Sequence, residues 1–152
     1  MYKVRLWSSR NSRLFESIYL ATEPLINVVI KSVNKLSFNR LDRFITFFEK
    51  YIKSFFFDCK MCGNCILSST GMSCPMNCPK TIRNGPCGGV RDNGNCEVKP
   101  EMRCVWVEAW NGSKNMKYGD KIKTVQYTVK QNDIGTSSWL KVARDQKDER
   151  KI

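Results

Sequence analysis

The sequence of 152 residues contains no histidine. Histidine is the side chain most often used for acid–base catalysis and is a frequent zinc ligand, so its absence excludes mixed cysteine–histidine metal sites. Neither a Gly-x-Gly-x-x-Gly fingerprint nor a phosphate-binding P-loop sequence occurs. We find no catalytic constellation, and we expect that the chain is not an enzyme by itself.

Long uncharged apolar runs are also missing. No stretch reaches the roughly 20 apolar residues of a membrane-spanning helix. Residues 1–7 carry charge but lack the apolar core of a secretory signal. We therefore expect a cytoplasmic protein without a membrane partner. In that compartment clustered cysteines are more often metal ligands than disulfides, which remain the less favoured alternative.

The basic charge is not concentrated in one region. The formal net charge is +12, divided as +5 over residues 1–58, +3 over residues 59–104 and +4 over residues 105–152. Nucleic-acid-binding proteins usually gather their basic residues on one patch or tail. The even spread favours a solvated basic surface and no nucleic-acid partner.

What the chain does have is eight cysteines in a short stretch that is poor in aliphatic residues. They follow the spacing Cys59-x2-Cys62-x2-Cys65-x8-Cys74-x3-Cys78-x8-Cys87-x8-Cys96-x7-Cys104. So small and polar a region needs metal or cross-links to hold its shape. We predict that all eight cysteines are metal ligands.

Two kinds of metal site fit these cysteines. Three thiolates from the loop Cys59 to Cys65 match three corners of a [4Fe-4S] cubane, and we expect these three to share one site. Ferredoxin-type runs end in a cysteine followed by proline, as at Cys74-Pro75 and Cys78-Pro79, although the spacing here differs. Two four-cysteine zinc sites, or one cluster and one zinc site, would use the same eight thiolates.

Glycine-rich turns accompany the later cysteines. In Asn84-Gly85-Pro86-Cys87-Gly88-Gly89, the glycines would let the backbone approach closely and point N–H groups at sulfur. The alternative is an ordinary turn that needs only positive φ angles. Asp92-Asn93-Gly94-Asn95 is typical of a hairpin turn leading into Cys96.

Helices are predicted before the cysteines. Residues 1–11 show no periodicity and are expected to fray, whereas apolar residues recur at helical spacing from Ser12. Thr22-Glu23-Pro24 is typical of a new helix start, with Thr22 as N-cap. The stripe then continues through Leu25, Ile26, Val29, Val33 and Leu36. A further helix is expected to begin at Ser37 or Asn39.

That further helix carries an apolar stripe formed by Leu41, Phe44, Ile45, Phe48, Ile52 and Phe55. We predict that the stripe packs in the core or against a partner subunit. A membrane-surface face is the alternative. It is less favoured because the polar side mixes both charge signs at Arg40, Asp42, Glu49 and Lys50, whereas membrane-surface helices are usually rich in lysine and arginine there.

After the cysteines we predict a helix from Pro100 to Asn111-Gly112, a short strand within Lys121 to Lys130, and a last helix capped by Ser137 or Ser138. The charged end up to Lys151 is expected to be solvated. The fold class is thus α-rich, small α+β, with an irregular metal-bound core. Its parts are a helical segment (1–58), a cysteine-rich metal-binding region (59–110) and a polar C-terminal extension (111–152), forming one compact unit.

Several of these pieces together resemble a known family. They are Cys59-Lys-Met-Cys-Gly-Asn-Cys65, Cys74-Pro-Met-Asn-Cys-Pro-Lys80, Arg83-Asn-Gly-Pro-Cys-Gly-Gly89, Gly94-Asn-Cys-Glu-Val98 and Cys104-Val-Trp106, with Gly135-Thr-Ser-Ser-Trp139 resembling bacterial members. From about Phe56 to Asp145 the chain is similar to the methylenetetrahydrofolate reductase C-terminal domain family. The first 55 residues carry no recognisable family signal.

The resemblance implies a stand-alone accessory subunit of one-carbon folate metabolism. In that family the domain is fused to, or encoded beside, a flavin-containing reductase barrel that holds FAD and folate, and it is associated with iron–sulfur and in some complexes zinc. The implied partner is the barrel subunit, and FAD is expected only there. The competing hypotheses are a structural zinc module that binds another protein through its helices and, less favoured, a nucleic-acid-binding zinc domain.

Overall fold

The computed structural model describes residues 2–36 and 39–149, and within this part it is helix-rich, with about 55% of residues helical and almost no strand. The five α-helices there are α1 (Tyr2–Arg10), α2 (Ser12–Leu36), α3 (Asn39–Phe57), α4 (Val105–Ser113) and α5 (Ser138–Glu149). Short 3₁₀ turns lie between α3 and α5, at Leu67–Ser69, Pro75–Asn77, Gly119–Lys123 and Gln131–Asp133. None of the helices in the described residues is both long and apolar enough to cross a membrane.

The expectation that residues 1–11 fray is wrong. They form α1, whose buried residues Arg5, Ser8 and Ser9 are polar rather than apolar, so hydrophobic periodicity does not indicate the helix. Ser9 donates its hydroxyl to the carbonyl oxygens of Glu108 at 3.0 Å and Gly71 at 3.3 Å. The helix is therefore held by hydrogen bonds to the backbone of α4 and of the cysteine region.

No new helix begins at Thr22. α2 is continuous from Ser12 to Leu36 and contains Pro24 in its interior. The Thr22 hydroxyl donates to the carbonyls of Ile18 at 2.8 Å and Tyr19 at 3.1 Å, which is a mid-helix arrangement rather than a cap. Pro24 removes one intrahelical hydrogen bond, and the apolar spacing on both sides sustains the helix across it.

The start of α3 at Asn39 agrees with the prediction, and Ser37 lies outside the described residues. The side chains of Val29, Val33, Leu36, Arg40 and Leu41, and the whole of Lys151, also lie outside the described part. After the cysteines, α4 begins at Val105, five residues later than Pro100, and ends at Ser113. The last helix begins where expected, because Ser137 caps it by accepting the Leu140 N–H at 3.2 Å.

The predicted strand between Lys121 and Lys130 is wrong, and with it the α+β part of the fold class. Residues Gly119–Lys123 form a 3₁₀ turn, and the rest is extended chain without a neighbouring strand in the described residues. Val125 and Tyr127 are 80% and 88% exposed. Side chains hold this segment instead: Asn84 bonds the N–H and carbonyl of Gln126 at 2.7 and 2.9 Å.

The core sits between the helices and the cysteine region. One buried cluster joins the end of α3 to the cysteine loops, and its members are Phe57, Leu67, Met72, Cys74 and Met116. Phe15 of α2 packs on it edge-on, with its ring centroid 5.3 Å from that of Phe57. A second cluster surrounds Trp106 and Ala109 of α4 and includes Cys104. Because cysteines belong to both clusters, the apolar core and the thiols are placed together.

The orientation of α3 differs from the expected one. Its carboxylate Glu49 is 1% exposed and Lys53 is 7% exposed, both facing inward. The aromatic residues of its other side are exposed, and they are Phe44, Phe47, Phe48, Tyr51 and Phe55. The part of the prediction that placed Phe44, Phe48 and Phe55 in the core of the subunit is wrong. We call these five residues the aromatic face of α3.

Candidate metal centre

The loop from Asp58 to Cys65 leaves α3 through a series of tight turns. Asp58 and Met61 adopt positive φ angles of 51° and 47°, and Gly63 one of 70°. A Cβ at Gly63 would lie 2.2 Å from the carbonyl oxygen of Asp133, so only glycine fits this close approach. Gly135 donates its N–H to the Met61 carbonyl at 2.7 Å. The loop is therefore shaped by left-handed backbone turns and anchored to the segment before α5.

Four cysteines of the sequence meet around one cavity. Cys59, Cys62 and Cys65 come from the loop, and Cys74 comes from the start of the 3₁₀ turn Pro75–Asn77. Cys62 and Cys74 are buried, Cys59 is half-buried and Cys65 is exposed. The three loop cysteines, which we expect to share one metal site, thus line the same cavity, and Cys74 lines it with them. We call this the four-cysteine cavity.

Polar hydrogens point at the sulfur atoms. The N–H of Met61 donates to Cys59 Sγ at 3.4 Å, and Arg83 Nη1 lies 3.9 Å from Cys62 Sγ as a donor. The Cys62 thiol donates to the Asn64 carbonyl at 3.4 Å. Bonds in which sulfur accepts, such as that from the Met61 N–H, stabilise the thiolate form, which is the form that binds metal.

A buried ion pair borders the same cavity. Lys53 Nζ lies 2.6 Å from Glu49 Oε1 on the inward side of α3. Burial acts to lower the pKa of Lys53, but the neighbouring Cys65 and Glu49 charges outweigh burial and raise this pKa. Burial acts to raise the pKa of Glu49, but Lys53 and the Ser137 and Ser138 hydroxyls outweigh it and lower that pKa. Both side chains are therefore charged at neutral pH, and a fixed cation stands beside the thiols.

The pKa values of two thiols at the cavity are shifted in opposite directions. The hydrogen bond from Cys74 lowers the pKa of Cys59 to about 6, with further help from the Met61 N–H and the Lys53 charge. The same hydrogen bond, together with burial, raises the pKa of Cys74 well above its usual value. Of the two thiols, Cys59 is therefore the more acidic and Cys74 the less acidic.

The other four cysteines are arranged differently. The predicted hairpin turn is present: Gly94 has a φ of 80°, and Val90 pairs with Cys96 in an isolated bridge. The Cys104 N–H donates to the Gly94 carbonyl at 3.0 Å, which places Cys96 and Cys104 on neighbouring segments. Among the described cavities and hydrogen bonds, none joins Cys78 or Cys87 to this pair. The structure therefore gathers one set of four thiols around a cavity and places two of the remaining four cysteines on neighbouring backbone segments.

Two of the glycines around Cys87 agree with the sequence-based prediction. The Gly89 N–H donates to Cys87 Sγ at 3.4 Å. A Cβ at Gly85 would lie 2.2 Å from the Trp106 ring. None of Gly85, Gly88 and Gly89 has a positive φ, so turn strain requires glycine at none of them. Close approach requires glycine at Gly85, whereas a Cβ at Gly88 would have no neighbour within 4 Å.

The donor set of the four-cysteine cavity fits a thiophilic metal group. It offers four sulfur atoms, none tied up in a disulfide, with N–H donors directed at sulfur. The cavity is small, about 20 Å³. Within the described residues, no three cysteine or acidic side chains already stand where they would hold one ion together. Zinc or an iron–sulfur cluster would therefore require the thiols to reorient around it, with Cys59, Cys62, Cys65 and Cys74 as ligands.

Three residues at this cavity were not singled out from the sequence for such a role. They are Glu49, Lys53 and Arg83. The only sequence signal for Lys53 was its spacing of four residues from Glu49, which favours an ion pair on one helix face. Arg83 belongs to the conspicuous Arg-Asn-Gly-Pro-Cys piece, but nothing in the sequence points its guanidinium at Cys62.

Fold and site together define a small helix-rich protein in which cysteine thiols surround a cavity bordered by cations. The chain belongs to the family described as Methylene-tetrahydrofolate reductase C terminal, whose model matches residues 38–133. The match includes α3, all eight cysteines and α4. It begins earlier than the expected start near Phe56 and ends before Gly135-Thr-Ser-Ser-Trp139. No curated protein and no solved structure matches the chain.

Proposed function

We propose that this protein is a non-catalytic, metal-binding accessory subunit of a methylenetetrahydrofolate reductase. Membership of the reductase C-terminal family supports the association with that enzyme. The observation that carries the metal-binding part is the convergence of Cys59, Cys62, Cys65 and Cys74 on one cavity. Three of these thiols come from one tightly turned loop, and the fourth comes from the start of the 3₁₀ turn Pro75–Asn77.

The occupant is an iron–sulfur cluster, zinc, or one of each in two sites. The three-cysteine loop followed by a Cys-Pro favours a [4Fe-4S] cluster. An all-sulfur set without histidine suits zinc equally well. We assign Cys78, Cys87, Cys96 and Cys104 to a second site on composition, with the placement of Cys96 and Cys104 on neighbouring backbone segments as its structural support.

The division of labour follows from the chemistry of the side chains. Hydride transfer to a folate requires a flavin or nicotinamide held against the substrate, and that chemistry belongs to the cofactor and its pocket. This sequence has no histidine and no nucleotide-binding fingerprint. FAD and folate are therefore assigned to the partner barrel, and the metal group of this chain supplies structure or electron transfer beside it.

The aromatic face of α3 is the surface we assign to the barrel. Tyr51 is 71% exposed and Phe48 is 53% exposed. The opposite side of the same helix buries a charged pair, Glu49 and Lys53, so on α3 the aromatic side chains are exposed and these charged ones are buried. Contiguous exposed aromatics of this kind mark interaction sites. The family match begins at residue 38, so α3 belongs to the part of the chain that is shared with reductase C-terminal domains.

Purification without oxygen tests both halves of the proposal. Iron, zinc and sulfide are measured per chain, and a broad visible absorbance band separates a cluster from colourless zinc. The chain is then mixed with the reductase barrel of the same cell and passed over a sizing column. We expect bound metal, co-elution with the barrel, and FAD only on the barrel. Flavin on the isolated chain, or methyltetrahydrofolate oxidation without the barrel, would refute the assignment.

The exposed aromatic face also fits a structural zinc module that binds an unrelated protein. Failure to co-elute with any reductase barrel, combined with stoichiometric zinc, would favour that alternative.

A further inference from the structure

Two cations reach the four-cysteine cavity from different elements. Lys53 extends from the inward face of α3, and Arg83 comes from the segment between Cys78 and Cys87. Lys53 is almost completely buried and Arg83 is half-buried. A buried cation is costly unless opposite charge or hydrogen bonds compensate it, so the placement of both requires an explanation.

Lys53 is held in a fixed position. Its Nζ donates to Glu49 Oε1 at 2.6 Å and to Ser138 Oγ at 2.9 Å, and it lies 5.0 Å from the centroid of the Trp139 ring. Glu49 in turn accepts hydrogen bonds from the hydroxyls of Ser137 and Ser138. The ammonium group is thereby kept at the edge of the cavity and away from solvent.

Arg83 is fixed by two backbone carbonyls. Nε donates to Tyr127 O at 2.8 Å, and Nη2 donates to Asn64 O at 2.6 Å. These bonds leave Nη1 directed at Cys62 Sγ, 3.9 Å away. The planar guanidinium is suited to directing an N–H group at sulfur, because fixing two of its nitrogen atoms also fixes the direction of the third.

We propose that Lys53 and Arg83 are positioning residues that compensate the negative charge of a metal–thiolate group bound at the four-cysteine cavity. The inference rests on the proposed function. Four thiolates around a divalent ion carry a net charge of about −2, since coordinating thiols are deprotonated. The positive charges of Lys53 and Arg83, partly offset by the negative charge of Glu49, lower the free-energy cost of burying that negative charge. Net charge and hydrogen bonds to sulfur also set the reduction potential when the group is an iron–sulfur cluster.

The test measures zinc affinity by competition with a chromophoric chelator, on the full chain under reducing and oxygen-free conditions. The variants are Lys53→Met, Lys53→Arg, Arg83→Met and Arg83→Lys. Lys50→Met is the matched control, because Lys50 lies on the same helix but is exposed. We expect each methionine variant at Lys53 or Arg83 to bind zinc about 10-fold to 100-fold more weakly, as for outer-shell partners generally. The charge-conserving variants should recover part of that loss.

Folding must be separated from metal binding, because Lys53→Met leaves Glu49 buried without its partner. The double variant Glu49→Gln with Lys53→Met removes both charges and leaves no unpaired buried carboxylate, so its zinc affinity should fall less than that of Lys53→Met. If the protein is isolated with a cluster, the single methionine variants should lower its reduction potential, since a lost cation favours the more positive, oxidised state. A purely structural role would leave that potential unchanged.

The outcomes separate this inference from the proposed function. Wild-type affinity and potential in both Arg83→Met and Lys53→Met would overturn the charge-compensation role while leaving the metal site intact. Wild-type protein that binds neither zinc nor iron would overturn the proposed function and the inference together.

Discussion

Ser12, the first residue of α2, donates its hydroxyl to the carbonyl oxygen of Gly112 in α4 at 2.6 Å. The contact joins positions 100 residues apart. Together with the two hydrogen bonds of Ser9, this hydrogen bond connects α1 and α2 to α4 and to Gly71 of the cysteine region. The family match begins only at residue 38, yet α1 and the start of α2 form hydrogen bonds with its central part.

The first prediction concerns Gly112, at this junction. A Cβ there would lie 2.3 Å from Gly71 O and 2.9 Å from Ser9 O, both backbone atoms. Alanine is favoured over glycine in a helix by about 1 kcal/mol. We nevertheless expect Gly112→Ala to lower the free energy of unfolding by about 1–3 kcal/mol, because the backbones must move apart. Urea denaturation gives the value.

Gly88→Ala is the matched control for this prediction. A Cβ at Gly88 would have no neighbour within 4 Å, and the residue has no positive φ. The control should keep the wild-type midpoint within error. An unchanged or raised midpoint for Gly112→Ala would show that the junction tolerates an added methyl group.

The second prediction concerns the membership of the four-cysteine cavity. Serine variants of Cys59, Cys62, Cys65 and Cys74, made singly, should each lose the same metal, because the four thiols line one cavity. Cys87→Ser should retain it. Iron and zinc per chain are measured on protein purified without oxygen. Loss of different metals from the four variants would contradict a shared site.

The third prediction is that metal removal destabilises the fold. Cys74 belongs both to the four-cysteine cavity and to the core cluster with Phe57 and Leu67. A bound metal group would link the loop after α3 to that core, so its loss should lower the thermal midpoint, as in other small metal-binding domains. A strong chelator under reducing conditions tests this by calorimetry. An unchanged midpoint in protein shown to be metal-free would argue against a structural role.

Some of these features could be predicted from the sequence because they are local. The cap at Ser137, the hairpin turn at Gly94 and the N–H of Gly89 directed at Cys87 each depend on a few neighbouring residues. Turn and cap chemistry is set by backbone sterics and short hydrogen bonds, so short motifs are sufficient to indicate it.

Other features depend on distant partners and could not be predicted in this way. The 3.6-residue period of α3 identified its stripe but could not say which side would be covered. Glu49 is buried because Ser137 and Ser138, nearly 90 residues away, supply hydroxyl donors. The alternation between Val125 and Val129 likewise has no neighbouring strand within residues 2–36 and 39–149, and side chains of Arg83 and Asn84 bond that segment instead. Burial and pairing are tertiary properties that local periodicity does not contain.

The last prediction concerns Phe48, on the aromatic face of α3. Its side chain is 53% exposed in the isolated chain, and its ring lies 5.6 Å from that of Phe44. Phe48→Asp should therefore leave the chain folded, with a urea midpoint close to wild type, since exposed substitutions usually change stability by less than about 0.5 kcal/mol. The same change would bury a charge against a partner, so binding to the reductase barrel should weaken at least tenfold.

Val125→Asp is the control, because Val125 is exposed on the extended segment after the 3₁₀ turn Gly119–Lys123, away from α3 in sequence. It should bind the barrel as wild type does. Affinity is measured by calorimetric titration of the barrel with each variant, and liposome sedimentation is run in parallel. A Phe48→Asp variant that keeps its barrel affinity and loses only liposome binding would indicate that the aromatic face binds a membrane surface and is not a subunit interface. One that keeps both would show that this face binds neither, because a carboxylate at its centre cannot be buried against protein or lipid without a large desolvation cost.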